Sequence, residues 1–133
     1  MKLRIILTFC IMLFSVNALA FYTGDTTEDG AHLKDYVKPE ALLLLTEKPN
    51  KSISIIDVRP SKAYLKGHIP TARSFPSGEI MNRLDELPLD QSYIIYCETG
   101  IRAQMVIRKL KKKNYKKVMN WGGYKRWPYP LVK

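Results

Sequence analysis

The stretch SYIIYCETGIRAQMVIRKL, Ser92 to Leu110, decides how this chain is read. An apolar run, Tyr93 to Tyr96, ends at Cys97, and a short loop, Glu98 to Ile101, follows with Gly100 in it. Arg102 opens a segment to Asn114 in which Ala103, Val106, Ile107 and Leu110 recur at the i, i+3, i+4, i+7 spacing of a buried helical face. The pattern predicts a buried strand that hands a cysteine to the start of a helix. Such a placement makes a thiolate. An unperturbed thiol titrates near ~8.5, so lowering it by two units takes about 2.7 kcal/mol of preference for the anion. A helix N-terminus supplies up to ~2 kcal/mol in partly buried geometry. Inward-pointing N–H groups of a curled loop supply the rest. Gly100 allows the backbone angles of such a curl. Arg102 brings a guanidinium to the loop's end, where it faces an anionic substrate.

Outward from that stretch, the other elements are short. Pro39 and Glu40 suit the first turn of a helix through Leu45, stopped by Pro49-Asn50. Ile53 to Val58 is a mostly apolar, β-rich run, as in a strand covered on both faces. Ser61 is placed to cap one helical turn to Leu65, and Gly67 to Pro70 forms a turn before an extended piece at Arg73 to Phe75. Glu79 to Leu87 is a predicted helix, Lys117 to Asn120 a third strand, and Gly122-Gly123 a turn into a short helix, Tyr124 to Trp127. Strands alternating with helices predict an α/β fold with a mostly parallel sheet and helices on both faces. Ligands in such sheets bind beyond the carboxyl ends of the strands, where Cys97 is placed.

Residues 1 to 20 read as a secretory signal, with Lys2 and Arg4 ahead of an apolar run, Ile5 to Phe14, and Ala18-Leu19-Ala20 as the cleavage site. The run is shorter than the ~20 residues a membrane span needs. The expectation is therefore an exported, periplasmic protein starting at Phe21, with no stable membrane insertion after cleavage. Residues 21–34 form a polar lead-in, extended or mobile, and residues 35–133 one domain. The 113 residues left carry a net charge of +8. Cys10 leaves with the signal, which makes Cys97 the lone thiol and excludes a disulfide framework. The basic run from Arg108 to Lys117 reads as a solvated helix face, with cations favoured at a helix C-terminus. Export excludes nucleic acid as the partner despite the pI of about 9.7.

Four motifs resemble the rhodanese (thiosulfate sulfurtransferase-like) domains. Ile56-Asp57-Val58-Arg59 is similar to that family's D-V-R strand end, and Gly67-His68-Ile69-Pro70-Thr71-Ala72 to its G-H-I-P-G-A turn, with Thr71 in place of the usual glycine. Tyr96 to Ala103 is similar to its Y-C-x-x-G-x-R-S loop, and Asn120 to Trp127 to its closing N-x-x-G-G-x-x-x-W, with one residue fewer between the asparagine and the glycine pair. The ordered set covers most of residues 35–127. The resemblance implies a three-layer domain in which Cys97 takes a sulfane sulfur from a donor, holds it as a persulfide, and yields it to cyanide or a thiol by ping-pong kinetics. It implies that Glu98, Thr99, Gly100, Ile101 and Arg102 bind the substrate, their amides cradling the persulfide and the donor's oxyanion. It implies no metal and no organic cofactor, and no His/Cys cluster has ligand spacing.

Asp57 and Arg59 fix the strand end by hydrogen bonds and an ion pair, His68 stabilises a turn, and Tyr96, Trp121 and Trp127 are core aromatics, Trp121 also a candidate wall of the pocket. Glu98 sets a negative charge beside the sulfur and so opposes an anionic donor. It points to a less acidic or protein-borne donor, and to a second function class: a sulfur carrier or redox-sensing module that binds a partner protein's thiol without turnover. A thiolate phosphatase or arsenate reductase is the third. Cys97 to Arg102 inclusive is six residues, one fewer than the loop of the related cell-cycle phosphatases, and the shorter loop favours sulfur over phosphate.

Overall fold

The computed structural model describes residues 22–133. The expected signal sequence and cleavage site lie outside the described residues. Four parallel strands form one sheet in the order β2-β1-β3-β4: β1 is Ile53–Asp57, β2 Arg73–Ser74, β3 Ser92–Cys97 and β4 Val118–Gly123. Among the described residues three α-helices accompany them: α1 Pro39–Glu47, α2 Ser61–Lys66 and α3 Ile101–Lys112.

Strand alternation divides the core into two layers. Tyr93, Ile95 and Cys97 of β3 join Ile56, Val118 and the buried face of α3, Ala103, Val106, Ile107 and Leu110. Ile94 and Tyr96 point the other way, toward Leu42 and Leu45 of α1 and toward Met119, Trp121 and Trp127. Every residue of β3 is buried, as its unbroken apolar run requires. The α/β class, the parallel sheet and the helix on each side agree with the reading of the sequence.

Several elements differ from it. The 79–87 segment is two 3-10 turns, Ile80–Asn82 and Leu84–Glu86. Pro88 biases Leu87 out of the helical region, and Leu87 sits at φ −124°, ψ 83°. The Tyr115 hydroxyl then donates to the Leu87 carbonyl at 2.6 Å, taking an acceptor a longer helix would use. Ser61 is not a cap: Pro60 holds the N-cap position of α2, with no side-chain cap bond. Gly122 and Gly123 belong to β4, beside a register shift where Tyr96 pairs with Gly122.

The polar lead-in is part of the packed body rather than an extended strap. Thr26 bridges Met119 antiparallel to β4, and the Thr27 hydroxyl accepts from the Val118 N–H at 2.8 Å. Ala31–Tyr36 is a 3-10 helix that seats Leu33 in the α1-side core with no exposure. At the other end of the chain, Val132 pairs with His68 through both backbone groups, at 2.9 and 3.0 Å.

Candidate active site around Cys97

Cys97 ends β3 and is 1% exposed. Its Sγ accepts a hydrogen bond from the Gly100 N–H at 3.0 Å. That contact needs a tight curl from strand to helix, and Gly100, the N-cap of α3, provides it at φ 97°. Thr99 is exposed, and its hydroxyl accepts a long bond from the Ile101 N–H at 3.5 Å. Gly100 is the loop residue whose amide lies on the sulfur, so the cradle for Sγ is narrower than an array of five amides.

Cys97, Glu98, Thr99, Ile101 and Arg102 line an open cleft of about 270 Å³. Every predicted site residue therefore meets at one place, five on the wall and Gly100 beneath it. Ile101 is half exposed at the rim. Arg102 is exposed and forms no ion pair among the described residues, so its guanidinium is available to an anion in the cleft. Glu98 is exposed and also lines the neighbouring cleft. Trp121 does not wall the pocket: it is fully buried in the other core layer, with Nε1–H donating to the Tyr36 carbonyl at 3.0 Å.

Arg102 does not organise the loop. A buried amide relay does. The Asn120 Nδ2 group donates to the Gly100 carbonyl at 2.9 Å and to Gln104 Oε1 at 3.1 Å, while Asn120 Oδ1 accepts from the Gly122 N–H at 2.9 Å. Gln104 in turn donates to Asp25 Oδ2 of the lead-in at 2.7 Å. Asn120 and Gln104 are buried and satisfied, which rigidifies what they touch, and Asp25 closes the relay at the surface. Gln104 and Asp25 were not among the residues the sequence singled out, and Asn120 entered only as the first residue of the closing motif, with no role given to it. The available signal was a glutamine between Ala103 and Val106, on the buried face of an otherwise apolar helix side.

The second support is the Asp57–Arg59 pair. Arg59 donates from Nη2 to Asp57 Oδ2 and to the Gly67 carbonyl, both at 2.7 Å, and from Nε to both Asp57 oxygens. Burial pulls the Arg59 guanidinium down, but the hydrogen bond and charge of Asp57 outweigh it and leave it above its ordinary value. Tyr96 donates to the same carboxylate at 2.8 Å and accepts from the Ile69 N–H at 3.1 Å, which ties the end of β3 to the 67–72 turn. His68 holds that turn as expected, stacked on Tyr64 at 3.7 Å with Nδ1 on the Tyr64 carbonyl. Asp57, Arg59 and His68 are thus engaged in structure and absent from the Cys97 cleft wall.

The sequence and the α/β fold have counterparts among known proteins. Residues 38–128 match the Rhodanese-like domain family. The chain is 31% identical over 78 residues to a sulfurtransferase of Allochromatium vinosum, covering 58% of this chain and 73% of that protein. It is 39% identical over 71 residues to Bacillus subtilis YrkF, named provisionally as a sulfur carrier protein, covering 53% of this chain but only 38% of YrkF. Among solved structures, a rhodanese-like domain protein from Staphylococcus aureus superposes with a TM-score of 0.62 at 26% identity, over 71% of this chain and 93% of that one. With a match across more than half its length and the same α/β architecture, this chain belongs to the Rhodanese-like domain family.

Proposed function

We propose that this protein is a sulfurtransferase that moves a sulfane sulfur from a donor, such as thiosulfate or a persulfide, to a nucleophilic acceptor, cyanide or a thiol, through a persulfide on Cys97. The observation that carries the reading is the Gly100 N–H held 3.0 Å from Cys97 Sγ at the floor of an open cleft. An amide aimed at sulfur favours the anion and sits where the charge of a persulfide or leaving thiolate develops. In the first step the Cys97 thiolate attacks the donor's sulfane sulfur. The donor's S–S bond breaks, and its electron pair leaves with the donor as sulfite or a thiolate. In the second step the acceptor takes that sulfur and returns Cys97 to a thiolate.

The open Arg102 guanidinium at the cleft suits an anionic donor, and Glu98 beside it disfavours one with concentrated charge. The reading belongs to an exported protein, which the signal sequence at residues 1–20 suggests. Steady-state thiocyanate formation from thiosulfate and cyanide tests it. Turnover is expected from the native chain and none from Cys97→Ser; equal rates from both overturn the assignment.

A sulfur-carrier role is the second reading. It is favoured by Ile101 and Met105, 51% and 53% exposed on α3 beside the cleft, next to the exposed cations Arg108 and Lys109. An apolar pair flanked by cations fits a protein surface that presents a thiol.

A further inference from the structure

We propose that the acceptor of this site is a zwitterionic thiol, free cysteine or a short peptide bearing one, whose ammonium is bound by Glu98 and whose carboxylate is bound by Lys62 and Lys66. This deepens the Cys97 reading and rests on it. A second cleft, of about 480 Å³, lies alongside the Cys97 cleft, and Glu98 lines both. Lys62 and Lys66 of α2 form part of its wall. They are four residues apart, so they share one helix face, where two like charges repel unless an anion lies between them.

No described carboxylate pairs with either lysine, and no described cation pairs with Glu98. Arg59, also in the wall, is already committed to Asp57 and to the Gly67 carbonyl. The cleft thus offers two free cations and one free anion around the apolar sides of Tyr124 and Leu131. Thiosulfate engages the lysines and is repelled by Glu98, and cyanide uses neither kind of group. A thiol with both an ammonium and a carboxylate uses all three. Glu98 then has a purpose: it turns a penalty against inorganic anions into selection for an amino-acid ligand.

The transfer balances without an oxidant. The bound acceptor's thiolate, its proton lost to solvent, attacks the outer sulfur of the Cys97 persulfide. A new S–S bond forms on the acceptor, the bond from that sulfur to Cys97 Sγ breaks, and its electron pair stays on Cys97 as the thiolate.

Single-turnover discharge of sulfur-loaded protein tests the proposal with four thiols: cysteine, cysteamine, 3-mercaptopropionate and 2-mercaptoethanol. Ratios between thiols cancel both their intrinsic reactivity, when each is compared across variants, and any loss of folded protein. In Glu98→Gln the preference for cysteine over 3-mercaptopropionate falls about three- to fivefold, the size of one solvent-exposed ion pair. In the double variant Lys62→Gln/Lys66→Gln the preference for cysteine over cysteamine falls by a similar factor. Ratios unchanged in both variants overturn the inference. If cyanide still discharges Cys97 while the thiol ratios stay flat, the sulfurtransferase reading survives and this one does not. If Cys97 never takes up sulfur, both fall.

Discussion

Thr71 sits at φ 68°, in the left-handed region, and it occupies the position where the family's turn ordinarily has glycine. A β-branched residue there crowds its own carbonyl, at a cost of roughly 1–2 kcal/mol. Thr71→Gly is therefore expected to raise stability by about 1 kcal/mol despite glycine's extra freedom in the unfolded chain, read as a higher urea midpoint at unchanged slope; a lower midpoint would show that the threonine side chain contributes something the backbone argument omits. The tyrosines of β3 set an alkaline limit. Burial pushes the Tyr93 hydroxyl from its ordinary 10.0 up to about 12, and burial together with the Asp57 charge pushes Tyr96 in the same direction, further. An unfolded tyrosine releases its proton near 10, so the contribution of the neutral phenol is complete below that pH and is lost as pH rises toward 12 and beyond. The melting temperature should fall across this interval, and more gently in Tyr93→Phe. A Tyr93→Phe slope as steep as the native one would remove this residue from the alkaline response.

At the scale of elements, the site is a contact between the β3–α3 loop and the glycine pair at the end of β4. A Cβ on Gly123 would lie 2.6 Å from the Glu98 carbonyl oxygen and 3.2 Å from Thr99 Cα. Gly123→Ala must push the loop outward, with an overpacking cost of about 1–3 kcal/mol, and should slow sulfur loading of Cys97 more than Gly78→Ala, whose added Cβ meets nothing within 4 Å. Equal loading rates in the two variants would mean that the loop's position does not matter to the chemistry. The strand, the cysteine and the helix after it were legible because unbroken apolar runs and a 3.6-residue period are local signals. The meeting of Glu98, Thr99, Ile101 and Arg102 on one wall was legible for the same reason, since six consecutive residues cannot lie far apart. The relay through Asn120, Gln104 and Asp25 joins residues as many as 79 positions apart, and no periodicity announces a partner at that distance. The 79–87 segment failed in the other direction: its composition suits a helix, and a local constraint from Pro88 together with the tertiary bond from Tyr115 broke it.

For the whole molecule, the two core layers serve one end of the sheet. The α1 side locks the carboxyl ends of β1 and β3 through Tyr96, Asp57 and Arg59, and the α3 side presents Cys97 with the N-terminus of its helix beneath it. The lead-in adds a third tie, from Asp25 into the relay behind the loop, so residues outside the family match help hold the site that the family match contains. The arrangement leaves one thiol among the described residues, nearly enclosed, with one amide donating to it and one open cleft in front. The intact mass of the protein after exposure to thiosulfate or to a low-molecular-mass persulfide addresses this directly. The account predicts a gain of one sulfur atom, located on Cys97 by peptide mapping, removed by cyanide and absent in Cys97→Ser. A native protein that gains no sulfur from any sulfane donor, or gains it equally in Cys97→Ser, would contradict it.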